Sequence, residues 1–211
     1  MREIARLPRD SANFRAFSSR GEIPSTLQCI ADRKRCGFVL TLTKIVSGGQ
    51  TGVDRGALRA AMEVGLDYGG WCPPGRACED GLIPPEFNLM ETPEDRSPLT
   101  PDVPRSLRTE RNVRDSDATL VLRPAEFSGR DRGTDATIAF ARRYGRPLLV
   151  CDPRECACGA RILKWLEAFE IRILNLAGPS ERSFPGIETL AYKLIMRVLG
   201  DRLAATDPRK K

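Results

Sequence analysis

The sequence predicts an α/β domain built on a parallel sheet, and two observations carry that reading. Short apolar runs alternate with longer segments of helical period along most of the 211 residues. Strands alternating with helices imply parallel strands joined by right-handed crossovers. Three of the apolar runs then end in turns of small residues, at Gly48, Gly133 and Gly178. Parallel topology places those turns on one carboxyl edge, where open α/β sheets bind their ligands. The length suits one domain with a substantial core.

Taken in order, residues 1–36 are rich in Arg and Ser without a sustained period, and a poorly ordered extension is expected there. The domain is expected over residues 37–200, followed by a basic tail at 201–211. The run FVLTLTKIV after Gly37 begins the first strand. A glycine turn follows at 47–52, and from Asp54 a helix carries Leu58, Ala61, Met62 and Gly65 on one face. Residues 68–72 predict a second strand. The segment WCPPGRACEDGLIPPEFNLMET after it is too rich in proline for a regular element, yet it holds Trp71, Arg76, Glu79 and Asp80. Long loops at strand ends are where α/β domains keep their sites.

A short strand is expected at 88–91, a proline-rich loop at 93–104, and a polar helix at 104–116 with Arg108, Arg111 and Asp115 at spacings of three and four. ATLVL at 118–122 predicts a central strand. After a polar loop, a second glycine turn at Gly133 and Thr134 opens a helix with Ala136, Ala139, Phe140 and Arg143 along one side. PLLVC (147–151) predicts a buried strand and 160–169 a helix with Ile162, Leu163, Leu166 and Phe169 inward. IRILNL (171–176) predicts the last strand, ending in small residues at 177–180. Residues 187–199 then form the clearest helix, with Ile187, Leu190, Ala191, Leu194, Ile195 and Val198 in one stripe.

Composition narrows the function. The net charge is +6, but residues 1–40 hold 8 basic and 4 acidic side chains and residues 201–211 hold 4 and 2. Residues 41–200 are therefore neutral, which argues against broad binding to a nucleic-acid backbone. No apolar run is long enough for a membrane span and no secretory leader is present, so a cytoplasmic protein is expected. Seven cysteines with no histidine predict reduced thiols. The CDPRECAC stretch at 151–158 lacks a CxxC pair, so no metal site is expected.

The stretch KIVSGGQTGVDRGAL (44–58) offers a strand, a glycine loop and a helix start. Adjacent glycines let the backbone turn tightly, and the free amides and dipole of a helix N-terminus suit a phosphate or similar oxyanion. A turn that binds nothing is the plain alternative, since neither the GxGxxG nor the P-loop spacing is present. Asp54 reads as the helix N-cap, with a ligand role as the sharper alternative. Arg111 and Asn112 belong either to an exposed helix face or to the pocket, and Trp71 either stacks on a heterocycle or packs in the core.

With these residues laid out, the chain resembles the putative molybdenum carrier family. That family is a branch of the Rossmann-like superfamily that also holds the lysine-decarboxylase-like cytokinin phosphoribohydrolases. The resemblance covers residues 44–199 and rests on SGGQTGVDRGAL, GGWCPPGRACEDGLIP, RNVRDSDATLVL, GTDATIAFARRYGRP and ILNLAGPSE with a following PGI. It implies a Rossmann-like, doubly wound, mostly parallel sheet, a homo-oligomer, and a pocket for a phosphorylated pterin or nucleotide-like ligand, taken in the family to be molybdenum cofactor. It places Gly48, Gly49, Gln50, Thr51 and Gly52 at the anion turn and Trp71, Arg76, Glu79 and Asp80 in the pocket loop. Arg111, Asn112, Gly133 and Thr134 stand across from them.

Two departures matter. Arg130, Asp131 and Arg132 separate Ser128 and Gly129 from Gly133 and Thr134, where the family pattern is compact. In the phosphoribohydrolases a catalytic glutamate follows the Gly-Thr turn, whereas here Asp135 is the only acid among residues 135–139 and its position is wrong. The sequence therefore favours a binding or carrier protein over a catalyst, and no catalytic residue is assigned. The alternatives are a nucleotide hydrolase or phosphoribohydrolase using Glu79, Asp80 or Asp54 as base, and a nucleotide-sensing domain.

Overall fold

The computed structural model describes residues 40–206, with side chains over residues 40–200. The extension expected at 1–36 and the end of the basic tail lie outside the described residues, which belong to one compact unit. In chain order the elements are β1 (Lys44–Val46), α1 (Val53–Val64), β2 (Asp67–Cys72), β3 (Ala77–Cys78), β4 (Gly81–Leu82), β5 (Leu89–Glu91), α2 (Ser106–Arg114), β6 (Ala118–Leu122), α3 (Arg132–Arg143), β7 (Leu148–Cys151), α4 (Cys158–Ala168), β8 (Ile173–Ala177) and α5 (Ile187–Thr206).

Six strands form one wholly parallel sheet in the order β5-β2-β1-β8-β6-β7, and β3 and β4 pair separately as an antiparallel hairpin. The doubly wound parallel fold expected from the sequence is the fold observed. Every residue of β6 is buried, as a strand covered on both faces requires. On one face Leu120, Leu122, Leu174 and Leu176 meet Ala57 and Ala61 of α1, Ile162 and Leu166 of α4, and Ile187 and Leu194 of α5. On the other, Val113 of α2 packs with Ala136, Phe140 and Ala141 of α3.

Several expectations are corrected. The start expected for the first strand, residue 37, lies outside the described residues, and residues 40–43 are not part of the strand. The amides of Thr43 and Lys44 converge on one carbonyl, that of Arg172 (2.9 and 3.0 Å), and the regular ladder begins only at Lys44. Met62 and Phe169 lie outside the core at 36% and 56% exposure, and Ala139 is exposed. β7 is an edge strand, half-buried over three of its four residues. The proline-rich stretch holds the β3–β4 hairpin after a helical turn at Pro74–Arg76. α5 continues to Thr206, into the stretch expected to be a basic tail.

The strand order positions the site. From β1 the chain winds outward through β2 to β5, from β6 it winds the other way to β7, and β8, last in sequence, inserts between β1 and β6. The helices that follow the neighbours β8 and β6 leave to opposite faces, α5 packing with α1 and α3 with α2. A crevice opens between adjacent strand ends whose chains diverge in this way. The strand that would come first in an ordinary doubly wound sheet comes last here, as in a circular permutation.

Candidate functional site

That crevice holds a pocket of about 200 Å³. Gln50 and Asp54 reach it from the turn after β1 and the start of α1, and Glu79 from the β3–β4 connection. Arg105 and Arg108 come from the start of α2, Asp131, Gly133 and Thr134 from the start of α3, and Gly178, Ser180 and Ser183 from the chain after β8. All three small-residue strand ends therefore meet at one edge.

The turn after β1 is filled by the protein itself. The Gln50 amide donates to Asp54 Oδ2 (3.3 Å), the Gly52 amide to Glu188 Oε2 (3.4 Å), and the Val53 amide to the Pro179 carbonyl (3.2 Å). These are the donors expected to hold an anion, and each already has an acceptor. Gly48 is a glycine because the Arg108 guanidinium lies over it: a Cβ there would stand 1.9 Å from Arg108 Nη1. Gly49 faces Leu89 and Ile83, and Gly52 faces the backbone of Pro179 and Glu181. Thr51 donates its hydroxyl to Glu79 and accepts the Glu181 amide (3.2 Å).

Asp54 is not the N-cap, which is Gly52 without a side-chain bond. Its carboxylate, 3% exposed, pairs with Arg108 Nη1 at 3.0 Å. Burial pushes the Asp54 carboxyl above its usual range, against the opposing pull of Arg108, the Ser47 hydroxyl and the Gln50 amide. Glu79 shows the reverse balance. Burial lifts it, but hydrogen bonds from Thr51, the Arg182 amide (3.1 Å) and Ser180 (2.9 Å) together hold it below the usual carboxylate range. Glu79 thus ties the hairpin to the loop after β8.

At the start of α3, Asp131 is the N-cap, and its Oδ1 accepts the Gly133 amide at 3.0 Å and the Thr134 amide at 3.1 Å. On the same turn the Thr134 hydroxyl is 1% exposed and has no partner. Arg108 Nε is also buried and unpaired. Of the four unpaired buried side-chain atoms among the described residues, two therefore belong to residues lining this pocket. Buried polar atoms in folded proteins nearly always have partners, so a pair of orphans in one cleft points to a missing acceptor. Arg105, which precedes α2, holds a left-handed backbone (φ 59°) while its Nη1 donates to Gln50 Oε1 at 3.1 Å. Such strain in a non-glycine residue is typical of binding clefts.

The remaining sequence-derived site residues have structural partners elsewhere. Asn112 bonds the Trp71 backbone twice, accepting its amide (2.8 Å) and donating to its carbonyl (3.0 Å). The Trp71 indole N–H donates to Asp115 (2.9 Å), and the Arg111 guanidinium lies 4.5 Å from the indole centroid. Arg76 spends its guanidinium on the carbonyls of Ile83, Pro84, Phe87 and Leu89. Asp80 forks onto Arg55 at 2.6 and 2.7 Å, and that guanidinium holds its carboxyl down to about 2. The expected set therefore divides. Gln50, Asp54, Glu79, Gly133 and Thr134 meet at the pocket, while Trp71, Arg76, Asp80, Arg111 and Asn112 do not line it.

Sequence reasoning missed Arg105, Asp131, Ser180 and Ser183, and took Arg108 only as part of a helix face. A readable signal existed for two of them. Ser180 closes the small-residue loop after β8, and Asp131 stands two residues before a helix-opening glycine, as N-caps do.

No helix among the described residues is long and apolar enough to cross a membrane. No group of three His, Cys, Asp or Glu side chains among them is placed to hold a metal ion. None of the curated proteins compared matches the chain. A crystal structure of a putative molybdenum carrier protein from Syntrophus aciditrophicus SB is 36% identical, covers 75% of this chain and 95% of its own, and superposes with a TM-score of 0.66. The model of the Circularly permutated YpsA SLOG family matches residues 45–199. That match spans every strand of the sheet except the first residue of β1: the chain belongs to the circularly permutated YpsA SLOG family.

Proposed function

We propose that this protein binds a phosphorylated small molecule, with the phosphate seated between the ends of β8 and β6 and no reaction catalysed. The carrying observation is the unpaired Thr134 hydroxyl at the floor of the pocket. A hydroxyl so buried costs about 1–3 kcal/mol without an acceptor, and a phosphate oxygen is an acceptor. Arg108 Nε and the Arg105 fork add positive donors. Two of the pocket's carboxylates do not oppose this, because Asp54 is paired with Arg108 and Glu79 accepts protein donors.

The volume suits the phosphate end of a ligand, as pockets that enclose whole drug-sized ligands are roughly 300–1,000 Å³. A pterin or base would then extend past Ser180 and Ser183. Molybdenum cofactor, suggested by the related carrier's name, fits as cargo recognised through its phosphate. The Thr134 and arginine donors would supply that contact, whereas no group of three His, Cys, Asp or Glu among the described residues is placed to hold the metal itself. Molybdate is a second candidate, being a tetrahedral dianion like phosphate.

The test is a melting-temperature panel of inorganic phosphate, molybdate, AMP, ADP and molybdenum cofactor, with products assayed in the same samples. Stabilisation by at least one phosphorylated ligand without turnover is expected. Release of free base or phosphate would establish the hydrolase instead, and no shift with any ligand would remove the pocket from consideration.

A further inference from the structure

We infer that Asp131 is a tethered competitor for the ligand's phosphate: its carboxylate occupies the oxyanion position at the α3 N-terminus and is displaced on binding. This rests on the phosphate reading of the pocket. The amides of Gly133 and Thr134 are the donors that the first turn of a 12-residue helix offers an anion. One carboxylate oxygen of Asp131 takes both, at 3.0 and 3.1 Å. A helix cap alone would account for those two bonds. It does not account for the third donor of the turn, the Thr134 hydroxyl, which is buried and empty-handed beside them. The turn thus offers three donors of which two are engaged, and a tetrahedral acceptor could take more of them than the planar carboxylate does.

Asp131 also lines the pocket, so the two anions cannot share it without like-charge repulsion. The consequence is selectivity. A free phosphate ion gains too little to displace the carboxylate, whereas an ester that also contacts Arg105 and Ser180 gains enough.

Calorimetric titration with inorganic phosphate of the wild type, Asp131→Asn and Asp131→Gly tests this, with thermal melts run in parallel to establish folding. Asparagine keeps a capping oxygen without the charge, and glycine removes the competitor. Phosphate is expected to bind both variants at least about tenfold tighter than the wild type, since a pair of charge-assisted hydrogen bonds is released. Should glycine prevent folding, the asparagine variant carries the comparison. Equal or weaker binding by a folded variant overturns the inference and leaves the phosphate reading standing. No binding by any of the three also overturns it, and the ligand panel, which does not depend on Asp131, decides separately whether the phosphate reading falls too.

Discussion

At the level of single residues, the pocket is defined by what its side chains lack. Thr134 has the volume of valine, and its hydroxyl contributes nothing to the free fold because it meets no acceptor. Thr134→Val is therefore expected to leave the melting temperature unchanged or raise it. The same change should weaken phosphate-ligand binding by about 1.5–3 kcal/mol, the worth of a hydrogen bond to a charged group. A large loss of stability in Thr134→Val, or unchanged affinity, would mean that the hydroxyl is a packing atom. Gly49 and Gly52 teach the opposite lesson. Their sequence context is that of an anion turn, yet their missing side chains make room for Ile83, Leu89, Pro179 and Glu181. A glycine's need for space is visible in a sequence, but not what fills it.

Elements explain why Arg111 and Asn112, both expected at the site, gather elsewhere. Arg105 immediately precedes α2, which carries Arg108 and Arg111, and a helix advances about 5.4 Å per turn. Its first turn reaches the pocket, while the next delivers Arg111 and Asn112 to Trp71 on β2. Spacing alone could not separate these turns, because the helix is polar and no apolar stripe fixes its rotation. Asn112 now stands in for a strand partner of β2. Asn112→Ala strands one backbone amide and one carbonyl and should cost about 2–6 kcal/mol in urea unfolding, from about 1–3 per orphaned group. A cost below about 0.5 kcal/mol would contradict the role of Asn112 as a clamp.

The loop after β8 carries a pH dependence. Against the upward push of burial, hydrogen bonds from Thr51, Arg182 and Ser180 hold the folded pKa of Glu79 below the 4.5 of a free glutamate side chain. Its contribution to stability is thus fully present above 4.5 and is lost as the pH falls through the lowered folded value. Acid titration of Glu79→Gln against the wild type should show the two converging in stability below that point. A difference that persists at low pH would assign Glu79 a role other than its ionised hydrogen bonds.

For the molecule as a whole, the fold was legible and the centre of the site was not. Alternating periodicity is a local property, so nearly every strand and helix could be read within a few residues of its observed ends. Sheet order is a property of distant pairings. Nothing within ILNLAG says that β8 inserts between β1 and β6, and that insertion alone moves the crevice from Gly48 toward Gly133 and Gly178. In a simple winding from β1 the first glycine turn would be the natural anchor. In the permuted order the crevice belongs to the last strand instead, and Gly178 shows how tightly it is built: a Cβ there would stand 2.4 Å from the Leu122 carbonyl at the end of β6.

The central claim is therefore one of place, and backbone amide shifts measure place directly. Titrating the isotope-labelled protein with the ligand that stabilises it best should move the amides of Gly133, Thr134, Gly178 and Ser180 together, and leave those of Trp71, Arg76 and Asp80 unmoved. Shifts confined to residues 48–52 and 71–80, with 133–134 and 178–180 silent, would contradict the account and return the site to the first glycine turn.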